Sequence, residues 1–233
     1  MKPLLYCWLA FIIIFGSICA ANSDYHPPTK LNIKPNIVSD NVWSYIAETN
    51  IYEHNLYLNQ GISYSGLGGW DIGLSSYNTP LYSGGAQNYE NDTYINASKT
   101  FTITPKDMIT IGSQVGTTIG NNQHTLHMLH FGNIRHTINE WITAYVGPYY
   151  ANANLTTTVN QVGVTTGVVL QIIPKQVELR GDYISGHQNV SGASTILQLY
   201  LTPLLSIYTG INIPETNSGN EFAGVVGFNI SNK

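Results

Sequence analysis

Cysteine is almost absent from this chain. Cys7 and Cys19 are its two cysteines, and both fall in a leader-like N-terminus. There Lys2 gives a positive start, Leu4 to Phe15 an apolar run, and Cys19-Ala-Ala21 a small-residue cleavage site, the layout of a secretory signal peptide. The apolar run is shorter than the ~20 residues a spanning helix needs. Residues 1–21 are therefore expected to be removed. That leaves a chain without disulfides, thiolate metal sites or cysteine catalysis. The lipoprotein reading of Cys19 is weaker, because Ile18 is bulky where lipoprotein processing wants a small residue.

Charge is also scarce. Only 9% of the residues are Asp, Glu, Lys or Arg, against the roughly 25% usual in soluble domains. Loss of Lys2 takes the formal net charge from −4 to −5, which gives nucleic acid no basic surface to bind. Long apolar runs and a sustained 3.6-residue period are missing beyond the leader, so a membrane-spanning form of this chain has to be built from strands.

What is present in quantity is two-residue alternation, most legibly in one hairpin written three times. Its copies are Phe101 to Gly112, Leu170 to Gly181 and Leu199 to Gly210, each an alternating strand, a turn at Pro105, Pro174 or Pro203, and a second alternating strand. Proline has no amide hydrogen for a sheet ladder and so marks the strand end. After a proline- and asparagine-rich segment, 22–41, expected as a periplasmic tail or plug, residues 42–233 divide into twelve strands. The expected spans are 42–49, 56–65, 70–77, 93–104, 108–119, 124–133, 141–150, 162–173, 176–185, 194–202, 205–213 and 222–230. The connections alternate between short (66–69, 105–107, 134–140, 174–175, 203–204) and mostly longer (78–92, 151–161, 186–193, 214–221). An even count is needed if both ends lie on one side; ten or fourteen strands also satisfy that parity.

The fold expected is all-β, an antiparallel up-and-down transmembrane β-barrel of about twelve strands. Ile109, Ile111, Val115, Val162, Val164, Val168, Leu199, Ile207, Val226 and Phe228 would face lipid. The intervening positions would face inward: Gln114, Thr165, Gln171, Glu178, Arg180, Asp182, Gln198, Tyr200 and Tyr208 among small neutral residues. Trp70, Tyr94 and Trp141 are expected near strand ends as aromatic girdle residues.

On these features the chain resembles bacterial outer-membrane β-barrel proteins, porin-like, with no particular family indicated. The resemblance covers Val42 to Ile230 and includes a last strand, Phe222 to Ile230, of alternating apolar and aromatic residues. Ser231-Asn-Lys233 then replaces the terminal phenylalanine usual in that group. The resemblance implies a place in the outer membrane among its lipids, insertion by the barrel-assembly machinery, and passage of a small solute.

Candidate chemistry is sparse. His124, His127 and His130 have a helix-like spacing, but on a strand His127 points away from the other two, which then lie ~20 Å apart. One metal ion cannot be shared across that gap, since its ligands converge at about 2 Å. Glu140, Ser185 and His187 offer hydrolase residue types without a Gly-x-Ser-x-Gly elbow, so neither catalysis nor a cofactor is expected. Sequons at Asn91, Asn96, Asn154, Asn189 and Asn229 keep a soluble glycosylated β-sandwich as the structural alternative. The charges Glu178, Arg180 and Asp182 share one face of one strand and would be costly toward lipid. They and Gln114, Gln171, Gln198, Tyr200 and Tyr208 are the candidate lining of a passive pore for small solutes. The competing reading is a filled, non-conducting barrel whose function lies in its loops.

Overall fold

In the computed structural model the described residues are 42–52, 55–66, 68–83, 91–119, 125–156, 159–187, 190–216, 218 and 221–232. The expected leader, the 22–41 segment and His124 lie outside them. Twelve strands follow one another: β1 (Val42–Ile51), β2 (Asn55–Gly66), β3 (Trp70–Ser83), β4 (Asn91–Thr102), β5 (Asp107–Ile119), β6 (Leu126–Asn139), β7 (Ile142–Ala151), β8 (Gln161–Ile173), β9 (Val177–Ile184), β10 (Gly192–Tyr200), β11 (Leu205–Pro214) and β12 (Ala223–Ser231). Each pairs antiparallel with its sequence neighbours. β1 closes on β12, with Ser44 opposite Ser231 and Ile51 opposite Gly224. Closure is the physical answer to sheet edges, since it leaves no row of unpaired amides, and it excludes the two-sheet sandwich.

Two of the three repeated hairpins share their turn chemistry. Thr104 Oγ1 accepts from the amides of Lys106 and Asp107 at 3.1 and 3.0 Å. Thr202 Oγ1 does the same for Leu204 and Leu205 at 3.1 and 3.0 Å. In the Pro174-Lys175 turn the Gln176 amide bonds back to the Ile173 carbonyl at 3.0 Å. Lys175 takes the left-handed conformation at φ 61° that this reversal demands. At the β6–β7 turn Asn139 Oδ1 accepts from the Trp141 and Ile142 amides. All these turns lie at one end, with the start of β1.

Two boundaries differ instructively from the expected ones. The segment 134–140, read as a turn, is strand as far as Asn139: Ile134 and Ile138 are exposed while Asn133 and Arg135 are buried. An alternation carried through this segment as far as the bulge at Thr137/Asn139 outweighs its polar composition. β3 likewise runs to Ser83, well into the expected 78–92 loop. It does so through a bulge opposite Asn59, where Asn78 adopts φ 61°, a conformation asparagine tolerates better than most residues. At the far end the expected 151–161 loop contains one helical turn, Ala153–Thr156.

The outer face is apolar. Ile95 is 61% exposed and Val162 76%, with Ile111, Val115, Val164, Val168, Ile207, Val226 and Phe228 also open. Trp43, Trp70, Phe101 and Trp141 are exposed close to the tight-turn end. Tyr94, expected in such a girdle, is instead 2% exposed and bonds to the buried His127. Its alternation with outward Ile95 puts it inside.

Candidate functional site

The interior is organised by register. Gln171 stands opposite Glu178, Glu178 opposite Gln198, Gln198 opposite Tyr208, Tyr208 opposite Gly227, and Gly227 opposite Glu48. From Glu48 the same row continues to Asn59, passes the Asn78 bulge, and reaches Asp92 and Thr118. Because strands in a barrel tilt, a row that follows the hydrogen-bonding direction climbs from one rim to the other. This row starts at Gln171, beside the Pro174 turn, and ends one residue from the far end of β5.

Side chains along the row bond sideways to one another. Gln171 Nε2 and Arg180 Nη2 each donate to Glu178 at 2.7 Å, and Tyr200 Oη does so at 3.4 Å. Glu178 itself is 1% exposed. Burial of a carboxylate is tolerable only with such partners. Tyr208 Oη donates to Glu48 at 2.9 Å, and Asn59 Nδ2 does so at 3.1 Å. Asn59 Oδ1 accepts the Asn78 amide at 2.9 Å; Asn78 Nδ2 donates to Asp92 at 3.0 Å, and Thr118 Oγ1 to the same carboxylate at 2.6 Å. Each of these bonds joins strands no more than two apart.

A second device recurs on the inner wall. The Tyr145 ring crosses Gly167 to donate to Asp182. Tyr208 crosses Gly227 to Glu48, and Tyr94 crosses Gly116 to His127 Nδ1 at 2.8 Å. A Cβ at any of these glycines would lie within 2.5 Å of the ring. Glycine therefore lets each tyrosine lie flat along the wall with its hydroxyl on the strand beyond.

Of the residues singled out from the sequence, the structure gathers Gln171, Glu178, Arg180 and Tyr200 into one hydrogen-bonded group. Asp182 is held nearby by Tyr145 and by Ser194 Oγ at 3.5 Å. Gln198 donates to Ser206 at 2.8 Å, and Tyr208 belongs to the Glu48 group. Gln114 stands apart on β5, buried, and among the described residues its Nε2 has no hydrogen-bond partner. Sequence reading missed Glu48, Asp92 and Arg135. Arg135 was hidden by the turn assigned to 134–140; on β6 it is buried within electrostatic reach of Tyr145, Glu178 and Arg180. The alternation Asn133-Ile-Arg135-His-Thr137 was the available signal.

His127 and His130 do point to opposite faces. His127 is buried and bonded to Tyr94 and Thr125, whereas His130 is exposed, bonded to Ser113 Oγ at 2.9 Å and stacked on Tyr150. Among the described residues no group of three or more His, Cys, Asp or Glu could hold a metal ion. Glu140 lies at the β6–β7 turn, while Ser185 and His187 follow β9 at the opposite end, so these three cannot act as one constellation.

No protein-family model matches the sequence, and neither does any curated protein. Solved structures do match the fold. A KdgM porin in complex with disordered oligogalacturonate superposes with a TM-score of 0.56 at 12% identity, over 81% of this chain and 98% of that one. Another KdgM porin structure gives 0.52 at 13% identity with the same coverage. The likeness shows a porin-like closed antiparallel barrel.

Proposed function

We propose that the chain is an outer-membrane pore through which small polar solutes pass passively. The carrying observation is that the side-chain hydrogen bonds of the climbing row run along the wall, between strands at most two apart, with several tyrosines flattened over glycine. Twelve strands spaced ~4.8 Å and tilted about 40° put opposite backbones roughly 24 Å apart. The candidate lining is Gln114, Gln171, Glu178, Arg180, Asp182, Gln198, Tyr200 and Tyr208, to which Glu48, Asp92 and Arg135 are added.

In this reading the tight turns face the periplasm, the apolar outer band faces lipid, and residues 1–21 are a removed leader. The last strand serves recognition by the assembly machinery. A transport role, rather than catalysis, fits the porin neighbours and the separation of Glu140 from Ser185 and His187. One neighbour was solved in complex with disordered oligogalacturonate, which makes a sugar a reasonable solute to try with this barrel. The test is single-channel recording of the folded chain in planar bilayers. Discrete ohmic steps are expected, and a barrel that folds but never conducts would favour the filled-barrel reading instead.

A further inference from the structure

Two connections at the far rim, opposite the tight turns, fold into the barrel. The first joins β7 to β8. The Asn152 amide donates to the Met128 carbonyl at 3.0 Å, while its side chain accepts the Met128 amide at 2.9 Å and donates to the Leu126 carbonyl at 2.7 Å. Asn152 thus adds a rung to the β6–β7 ladder. Its carbonyl then receives the amides of Leu155 and Thr156, both at 3.1 Å, and so starts the helical turn Ala153–Thr156. Leu155 ends 6% exposed and Thr156 fully buried.

The second joins β9 to β10. It bends at Gly186, φ 130°, and Gly192, φ 150°, backbone that residues with a side chain rarely adopt. Between these glycines Val190 and Ser191 are buried. Gln161 Nε2, at the start of β8, donates to the Ser185 carbonyl and to Ser191 Oγ, each at 3.0 Å. Tyr149 Oη donates to the same Ser185 carbonyl at 2.5 Å.

Leu155 and Val190 belong to one apolar cluster with Tyr94, Leu129, Tyr149 and Ala151. Tyr94 alternates with exposed Ile95, Leu129 with exposed His130 and Tyr149 with exposed Pro148, so the cluster lies inside the barrel. All three stand in the halves of their strands away from the tight turns. Each is 2% exposed, whereas the bare wall of a water-filled barrel would be wet. Leu155 and Val190 are brought over this arc from outside the sheet. Apolar burial holds them there, since either side chain released into the passage would face water.

Resting on the pore reading, we infer that the β7–β8 and β9–β10 connections form a constriction at the far mouth, latched to the inner wall by Leu155 and Val190, and that this latch sets the largest solute admitted. The strands are held by continuous ladders and the connections by a few bonds and one apolar cluster. The latch can therefore open without the barrel unfolding.

Leu155→Ser tests it in planar bilayers and in liposome swelling. Loss of the latch should raise single-channel conductance about twofold and bring the entry rate of raffinose closer to that of glucose. Leu204→Ser, in an exposed tight turn at the opposite end, is the control and should match the wild type. A second readout does not depend on conduction: by NMR, the amides of Leu155 and Thr156 should exchange slowly in the wild type and fast in Leu155→Ser. Wild-type conductance and solute cutoff in the folded variant would overturn the latch, as would free exchange of those two amides in the wild type. If Leu155→Ser fails to fold, judged by heat-modifiable migration, Val190→Ser replaces it; if neither folds, wild-type exchange decides. Absence of conductance and swelling in wild type and variants overturns the pore reading and the size limit with it, whereas a conducting barrel with freely exchanging Leu155 and Thr156 overturns the latch alone.

Discussion

The two arcs of the inner wall hold their carboxylates by different means. On β8 to β10 Glu178 is held by a guanidinium, and Arg135, Arg180, Glu178 and Asp182 lie close enough to offset one another. On β1 to β5 the bonds to Glu48 and Asp92 come from amides, a phenol and a hydroxyl. The first arrangement binds a wall together with little net field. The second binds a wall through neutral donors.

The largest expected effect breaks the ion-paired arc. Arg180→Met leaves Glu178 fully buried with neutral donors alone, and loss of one partner from a buried pair costs about 3 to 5 kcal/mol. Urea titration of the barrel in lipid should register that loss; a change below ~1 kcal/mol would mean the pair is not needed. The outer face supplies the next contrast. Ile95→Arg, mid-strand and 61% exposed, should cost about 2 to 4 kcal/mol and reduce yield of the heat-modifiable form. Tolerance there would mean that the band is not against lipid.

In the amide arc, Asn59→Ala removes a donor to Glu48 and the acceptor of the Asn78 amide. About 1.5 to 3 kcal/mol is expected in the same titration, less than for Arg180→Met. An equal or larger loss would invert the ranking of the two arcs. The smallest effects probe what the arcs share. Gly167→Ala and Gly227→Ala each drive a methyl into a tyrosine ring, so both should cost about 1 to 3 kcal/mol. Gly181→Ala, whose Cβ would meet only Val168 at 3.8 Å, is the control. If the two tyrosine sites differ widely, the shared device is not equivalent in the two arcs.

The strand count and the two faces were legible in the sequence because strand alternation is local: Ile111 and Val115 read outward and Gln114 inward from their own neighbours alone. The turns were legible where proline wrote them, at Pro105, Pro174 and Pro203. Arg135 was lost when a polar stretch was taken for a turn, and Tyr94 was misplaced because nearness to a strand end was given more weight than its alternation with Ile95.

By itself, then, the sequence determined an alternating all-β chain of about twelve strands, its apolar exterior and the presence of Glu178, Arg180 and Asp182 on one inner face. Only the tertiary structure decided that Glu178, Glu48 and Asp92 share one climbing row, that Tyr208 reaches Glu48 across Gly227, and that β1 meets β12 with Glu48 opposite Gly227. The physical reason is range. Which face a residue takes depends on its immediate neighbours, whereas lateral partners depend on the register of every strand between them and on closure of the sheet, which no short stretch of chain encodes.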